Sequence, residues 1–252
     1  MDGSGKENAE GTTLLLYRGE FHSCPYLPDR TARSEGLAVS RLDGAIYQQL
    51  MNMGFRRSGR FVHRTACEGC RACVPLRVPV ASFQMSRSQR RVLRRNRDAE
   101  VEIGRPACTD EKWRIYVDYL RYQHDGTMSE DREDFEAFLY ADVTDTLEMV
   151  YRIEGRIAGV GVVDECPGCL SSVYYFFDPA DARRSLGVLG VLREIEECRR
   201  RGLAYWYAGY YVRDCARMNY KANYRPYELL GEHGVWGAGG EGCSGSLPRF
   251  AS

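Results

Sequence analysis

The stretch that decides the fold runs from Leu147 to Tyr211. It reads LEMVYRI (147–153), a Glu154-Gly155 turn, IAGVGVV (157–163), SSVYYFF (171–177), RSLGVLGVLREIEECRRR (184–201) and YWYAGYY (205–211). The four runs of β-branched, aromatic and small residues, bounded by turn formers, predict strands. Between the third and fourth, Leu186, Leu189, Leu192 and Ile195 recur at helical spacing, and Gly202 supplies the stop.

Strand–strand–strand–helix–strand is the order of an acyltransferase core of the N-acetyltransferase type. The expected fold class is therefore α+β, with that core over residues 101–232 and a smaller N-terminal α/β domain over 13–100. Residues 1–12 are expected to be disordered and 233–252 to form a flexible, Gly- and Ser-rich tail. Element order is an analogy of fold and does not fix function.

In the first domain, Leu42, Ile46, Leu50 and Met53 predict a helix ended by Gly54. Phe55–Arg64 reads as a strand with a Ser58-Gly59 turn or bulge near its start. Val74–Val80 reads as extended, and its flanking prolines suggest an edge position. Ser86-Arg87-Ser88-Gln89 matches a capping box, so a helix starts at Arg87. That helix is arginine on most faces. Arg87, Arg90, Arg91, Arg94 and Arg95 are candidates to grip a nucleic-acid backbone, because guanidinium forks hold phosphates with two bonds.

The formal net charge is zero, so bulk charge names no partner, and only Lys6, Lys112 and Lys221 are lysines among 35 basic residues. No apolar run approaches the roughly 20 residues of a membrane span, and the first residues lack a secretory pattern. A cytoplasmic protein with no membrane partner is expected, its thiols reduced or metal-bound. Cys67, Cys70 and Cys73 stand at two-residue gaps, and Cys24 is a candidate fourth ligand. Such a set suits zinc or an iron–sulfur cluster; it equally suits thiols packed to shape a loop. Cys166-Pro167-Gly168-Cys169 reads as a hairpin turn. His22, His63, His124 and His233 show no metal spacing.

Several further stretches complete a pattern: Cys24-Pro-Tyr-Leu-Pro-Asp-Arg30, Gly54-Phe-Arg-Arg-Ser-Gly59, Cys67–Val78, Phe176-Phe-Asp-Pro179, Arg183-Arg-Ser-Leu-Gly187 and Met218-Asn-Tyr-Lys221. In this order, over about residues 22–231, they resemble the arginyl/leucyl-tRNA–protein transferase family, nearest its compact bacterial leucyl branch. Leu27 stands where eukaryotic arginyl members carry a second cysteine, which favours that branch. The resemblance implies transfer of leucine (alternatively arginine) from aminoacyl-tRNA to proteins beginning with Asp or Glu, which marks them for degradation by the N-end rule pathway.

The donor is an ester and the nucleophile the acceptor's own α-amine, so no cofactor is required for transfer. Asp178 is the expected group that orients or deprotonates the amine. Arg184, Ser185 and Gly187 are assigned to the terminal adenosine or acyl carbonyl. Tyr220 and Lys221 join Asp178 as expected catalytic residues and, with Asn219, hold the acceptor end or the incoming carboxylate, which Arg30 or Lys221 would read. The rival of another class is a non-catalytic RNA-binding regulator with a redox- or metal-sensitive cysteine cluster.

Overall fold

The computed structural model describes residues 15–123, 128–231 and 234–239. The expected disordered start, most of the expected tail, His124 and His233 lie outside the described residues.

The chain opens with β1 (Tyr17–Arg18), β2 (His22–Ser23), β3 (Thr31–Ala32) and β4 (Ser34–Ala38). Helix α1 (Gly44–Asn52) follows, with Asp43 as its cap: one carboxylate oxygen accepts from the Ala45 and Ile46 amides at 2.8 and 3.3 Å. Gly54 ends it at φ +90°, a conformation only glycine adopts without strain. The strand read at 55–64 is a hairpin, β5 (Arg56–Ser58) and β6 (Phe61–Thr65), because Ser58-Gly59 turns the chain fully. These strands form a small sheet in the order β1-β4-β6-β5, and β2 pairs with β3 alone.

The second half brings α2 (Arg87–Arg95), β8 (Glu100–Gly104), α3 (Asp110–Gln123), α4 (Arg132–Leu139), β9 (Thr146–Ile153), β10 (Arg156–Cys166), β11 (Cys169–Phe177), α5 (Leu186–Arg200), β12 (Tyr205–Tyr211), the short α6 (Ala216–Asn219) and β13 (Glu228–Leu230). The predicted strands and helix of 147–211 are all present. Glu154 and Gly155 take φ of +52° and +79°, as a two-residue hairpin of primed type needs. Cys166 pairs with Cys169 across the second hairpin, as read.

Two expectations are corrected. The strand β7 (Val74–Pro79) is not at an edge: with β14 as Trp236–Ala238, it lies between β12 and β13 in an eight-stranded mixed sheet ordered β14-β13-β7-β12-β11-β10-β9-β8. Its prolines are tolerated because β13 pairs only with Leu76 and Arg77, so neither proline has to donate there. The boundary near residue 100 therefore does not divide one sheet from the other. Second, Trp236–Ala238 forms β14 and pairs with β13, so residues 234–239 are structured where a flexible tail was expected.

The large sheet has two covered faces. On one, α5 packs Leu186, Leu189, Leu192 and Ile195 against Met149, Tyr151, Leu170 and Trp206, and α2 adds Val92 and Leu93. On the other, Tyr116, Leu120, Phe135 and Leu139 of α3 and α4 meet Val150, Val160, Val162 and Phe176. Helix α1 packs Tyr47, Leu50 and Met51 between Val62 of the small sheet and Tyr207 of the large one. Arg57 on β5 and Asp164 on β10 tie the two sheets with paired bonds of 2.8 and 2.6 Å, both side chains fully buried.

All neighbours in the large sheet are antiparallel except β11 and β12. That parallel pair is joined only at Cys169–Tyr205, Leu170–Trp206 and Ser171–Tyr207, and beyond it the strands part. The result is a fork inside the sheet, open toward the starts of the 178–185 and 212–220 connections.

Candidate functional site

The fork is where the predicted site residues gather. From β11 the chain enters a 3-10 turn, Pro179–Arg184, and then α5 through Ser185, which has left-handed φ and ψ of 59° and 48°. Val188 and Leu189 donate to the Ser185 carbonyl at 3.0 and 3.2 Å, so the N–H groups that α5 leaves for a ligand are those of Leu186 and Gly187. An ideal Cβ at Gly187 meets nothing within 4 Å, so this helix start is open to a ligand.

The arginine helix is fastened to the same turn. Arg95 donates to the Arg183 carbonyl at 2.6 Å and Asn96 to the Arg184 carbonyl at 3.0 Å. Arg184 in turn grips Asp98 through both oxygens, at 2.9 and 3.0 Å. The predicted capping box is formed: Ser86 accepts from the Gln89 amide while Gln89 accepts from that of Ser86. All five candidate phosphate-binding arginines are exposed. Arg90 spends one donor on the Met85 carbonyl. Arg87, Arg91 and Arg94 make no ion pair among the described residues.

Asp178 sits at the end of β11, but its oxygens are committed. One accepts from the Ala180 amide at 2.9 Å as the cap of the 3-10 turn, and the other faces Arg156 at 3.3 Å. This geometry makes it a cap and ion-pair partner and removes the support for a base. Asp178→Asn keeps a capping oxygen and loses only a half-exposed ion pair. It is expected to cost less than about 1 kcal/mol and to leave the transfer rate within a few-fold, checked by thermal melting and single-turnover transfer.

The carboxyl that does lie at the fork is Glu194 of α5, which the sequence reading took as part of a helix only. It is 1% exposed and accepts from Trp206 Nε1 at 2.6 Å and Ser172 Oγ at 3.4 Å, with no ion-pair partner among the described residues. Burial raises its pKa to about 7, against the lowering effect of those two bonds. Its charge reaches Tyr220, whose phenol is pushed up to about 12, first by enclosure of the hydroxyl. A carboxyl raised from 4.5 to about 7 favours the folded state fully below pH 4.5, and that benefit is lost as pH rises through 7. Wild type should thus lose up to about 3 kcal/mol across this window. Glu194→Gln should flatten the slope, as measured by urea unfolding at pH 5 and pH 8.

Tyr220 and Lys221 straddle the other arm of the fork. Lys221 donates to the Tyr210 carbonyl at 2.8 Å. Burial, and then the nearby Arg56 charge, lower its pKa to about 7. Asn219 is spent on the Arg213 carbonyl at 3.1 Å. Arg30 is exposed, with a guanidinium nitrogen 3.5 Å from Cys70 Sγ.

The cysteine loop packs against this arm. Cys24 Sγ accepts from the Leu27 amide and Cys67 Sγ from the Arg33 amide, both at 3.4 Å. Cys73 is pushed up to about 12, first by burial and then by Cys67, Cys24, Cys70 and Cys215. Cys215, absent from the predicted set, packs with Leu27 and Val212, and Cys24, Cys73 and Met218 line the same cluster. The donors suit zinc or an iron–sulfur cluster in kind. Among the described residues, however, no three His, Cys, Asp or Glu side chains are placed to hold one ion. No chemical step is routed through a metal.

Two family profiles match: the arginine-tRNA-protein transferase N terminus over residues 22–91 and its C terminus over 111–231. The chain belongs to this family. It is 42% identical over 220 residues to the aspartate/glutamate leucyltransferase of Stutzerimonas stutzeri (strain A1501), covering 86% of this chain and 94% of that one. It is 43% identical, with the same coverage, to the protein of that name from Pseudomonas fluorescens (strain SBW25). Among solved structures, L-PGS from Bacillus licheniformis overlaps 66% of this chain and 51% of its own at TM-score 0.41 and 13% identity, too loosely to speak to function. Family membership makes the chain an aminoacyltransferase, with an aminoacyl-tRNA donor and a protein acceptor, and excludes the non-catalytic regulator. Among the described residues no helix is long and apolar enough to cross a membrane.

Proposed function

We propose that this aminoacyltransferase moves leucine from leucyl-tRNA to the α-amine of proteins that begin with Asp or Glu. The names of its relatives at 42–43% identity support the donor and the acceptor. The element order and the β11–β12 fork support an acyltransferase core of the N-acetyltransferase type.

The observation that carries the reading is the fastening of the arginine helix to the turn before α5. A tRNA acceptor stem lying along α2 would bring its aminoacylated end to the start of α5. There Gly187 leaves room, and free N–H groups can meet the terminal phosphate or the oxyanion that develops on the ester carbonyl. The acceptor enters from the Lys221 arm. Its α-amine has an ordinary pKa near ~7.7–8.0, so a useful fraction is neutral and attacks the ester directly. The new amide retains the leucyl group, and the tRNA leaves as the ribose alcohol. Holding amine and ester together supplies much of the acceleration. Glu194, with its pKa raised to about 7, stands at the fork to take up the amine proton, and Tyr220, neutral at cytosolic pH, can only donate a hydrogen bond there. Transfer so described uses no cofactor, and the cysteine loop holds the acceptor arm in place. Tagged proteins would then be degraded by the N-end rule pathway, in the cytoplasm where charged tRNA is found.

Purified protein, labelled Leu-tRNA or Arg-tRNA and a peptide beginning with Asp test this together. Label is expected on the peptide from Leu-tRNA; label from Arg-tRNA alone would move the donor to arginine, and label from neither would refute transfer.

A further inference from the structure

We propose that Arg56 and Lys221 form an enclosed carboxylate-binding site that holds the acidic side chain of the acceptor's first residue. The inference rests on the acidic-acceptor reading above.

Arg56 on β5 is 7% exposed. Its Nη1 donates to the Phe55 carbonyl at 2.6 Å and toward that of Met51 at 3.4 Å. Its Nε and Nη2 are buried with no acceptor. No carboxylate pairs with it among the described residues. The two other cations buried to this degree, Arg57 and Lys112, face Asp164 and Glu148. An arginine cannot shed its proton, and an unpaired buried charge is strongly unfavourable. Aromatic rings offset part of this, with the guanidinium carbon 5.5 and 5.8 Å from the Tyr207 and Tyr210 ring centres.

The two open donors have a specific shape. Nε and Nη2 form one edge of the guanidinium, the edge that binds a carboxylate through two parallel bonds. Arg57, the next residue, uses this same edge on Asp164. Arg56 therefore presents an unfilled copy of its neighbour's ion pair. Lys221 has its Nζ on the Tyr210 carbonyl and 3.5 Å from where a Gly209 Cβ would stand, near enough to Arg56 to feel its charge. Gly209 has φ +82°, so the backbone here keeps the amine free of a neighbouring side chain. An ammonium has three donors, and the Tyr210 carbonyl uses one. An acidic side chain between them would pair with the Arg56 guanidinium and hold Lys221 in its ammonium form. An amide side chain would set its NH2 group against a cation and be rejected.

The test compares leucyl transfer to peptides beginning with Asp and with Asn. Arg56→Lys keeps the charge and the stem but loses the two-donor edge. Lys221→Met removes the second donor at a half-buried position. Each is expected to lower the Asp-over-Asn preference in kcat/KM at least tenfold, mainly through KM, with tRNA affinity unchanged. Wild type with no preference for Asp would refute the acidic-acceptor reading itself. A wild-type preference retained in full by both variants would overturn this site alone.

Discussion

Arg57→Ala should destabilise the protein by about 3–5 kcal/mol, the range for removing one partner of a buried ion pair. The loss is large because Asp164 would remain ionised in a site without water. Its other hydrogen bond, from Thr146 at 2.8 Å, is a neutral one and cannot replace the guanidinium. For a chain of this size the melting temperature should fall by roughly 6–20 °C. The effect should be one of breakage rather than of the pair's net worth. Replacing both residues together by Met and Leu removes charge and counter-charge at once and should cost much less. Thermal and urea unfolding of the single and double variants separates the two.

Reversing Arg87, Arg91 and Arg94 to Glu should weaken tRNA binding on the order of 100-fold at physiological salt. It should also make the salt dependence shallower by about 2–3 in log K against log [salt], roughly one per lost phosphate contact. All three side chains are exposed, and α2 is held by Val92, Leu93 and Gln89 instead, so the fold should be intact. Filter binding between 50 and 200 mM salt, with melting as the control, reads both quantities. Unchanged affinity would remove α2 from the tRNA path and with it the main support for the donor's placement.

The legible part of the fold was the part with strong periodicity. Leu186, Leu189, Leu192 and Ile195 announced the face of α5 because burial selects every third or fourth residue. Ser86 and Gln89 announced the start of α2 because orphan amides need those side chains. What failed was non-local. Nothing near Val74 says that Glu228–Leu230 will return to cover it. The same holds for the site. Asp178 looked catalytic because a carboxylate beside a helix start is chemically suggestive, yet Arg156, a sheet neighbour, claims it. Glu194 looked like one more acid in a charged helix, and only the packing of Trp206 and Ser172 reveals it as buried. Arg56 stood in the sequence only as one letter of the Gly54–Gly59 stretch. Its lack of a partner is a property of three dimensions, invisible in a run of letters where Arg57 follows it.

The parting of β11 and β12 has a consequence for tolerance to mutation. Strand edges usually lie at the margin of a sheet, where charge or proline can blunt them. Here two edges face one another within it, and the gap they bound is lined by peptide groups. Side chains of residues 172–177 point into the packed layers above and below. Substitutions there change how well those layers fill, but they leave the rim of the opening made of the same amides and carbonyls. The opening is thus written in backbone, which sequence drift cannot edit one residue at a time.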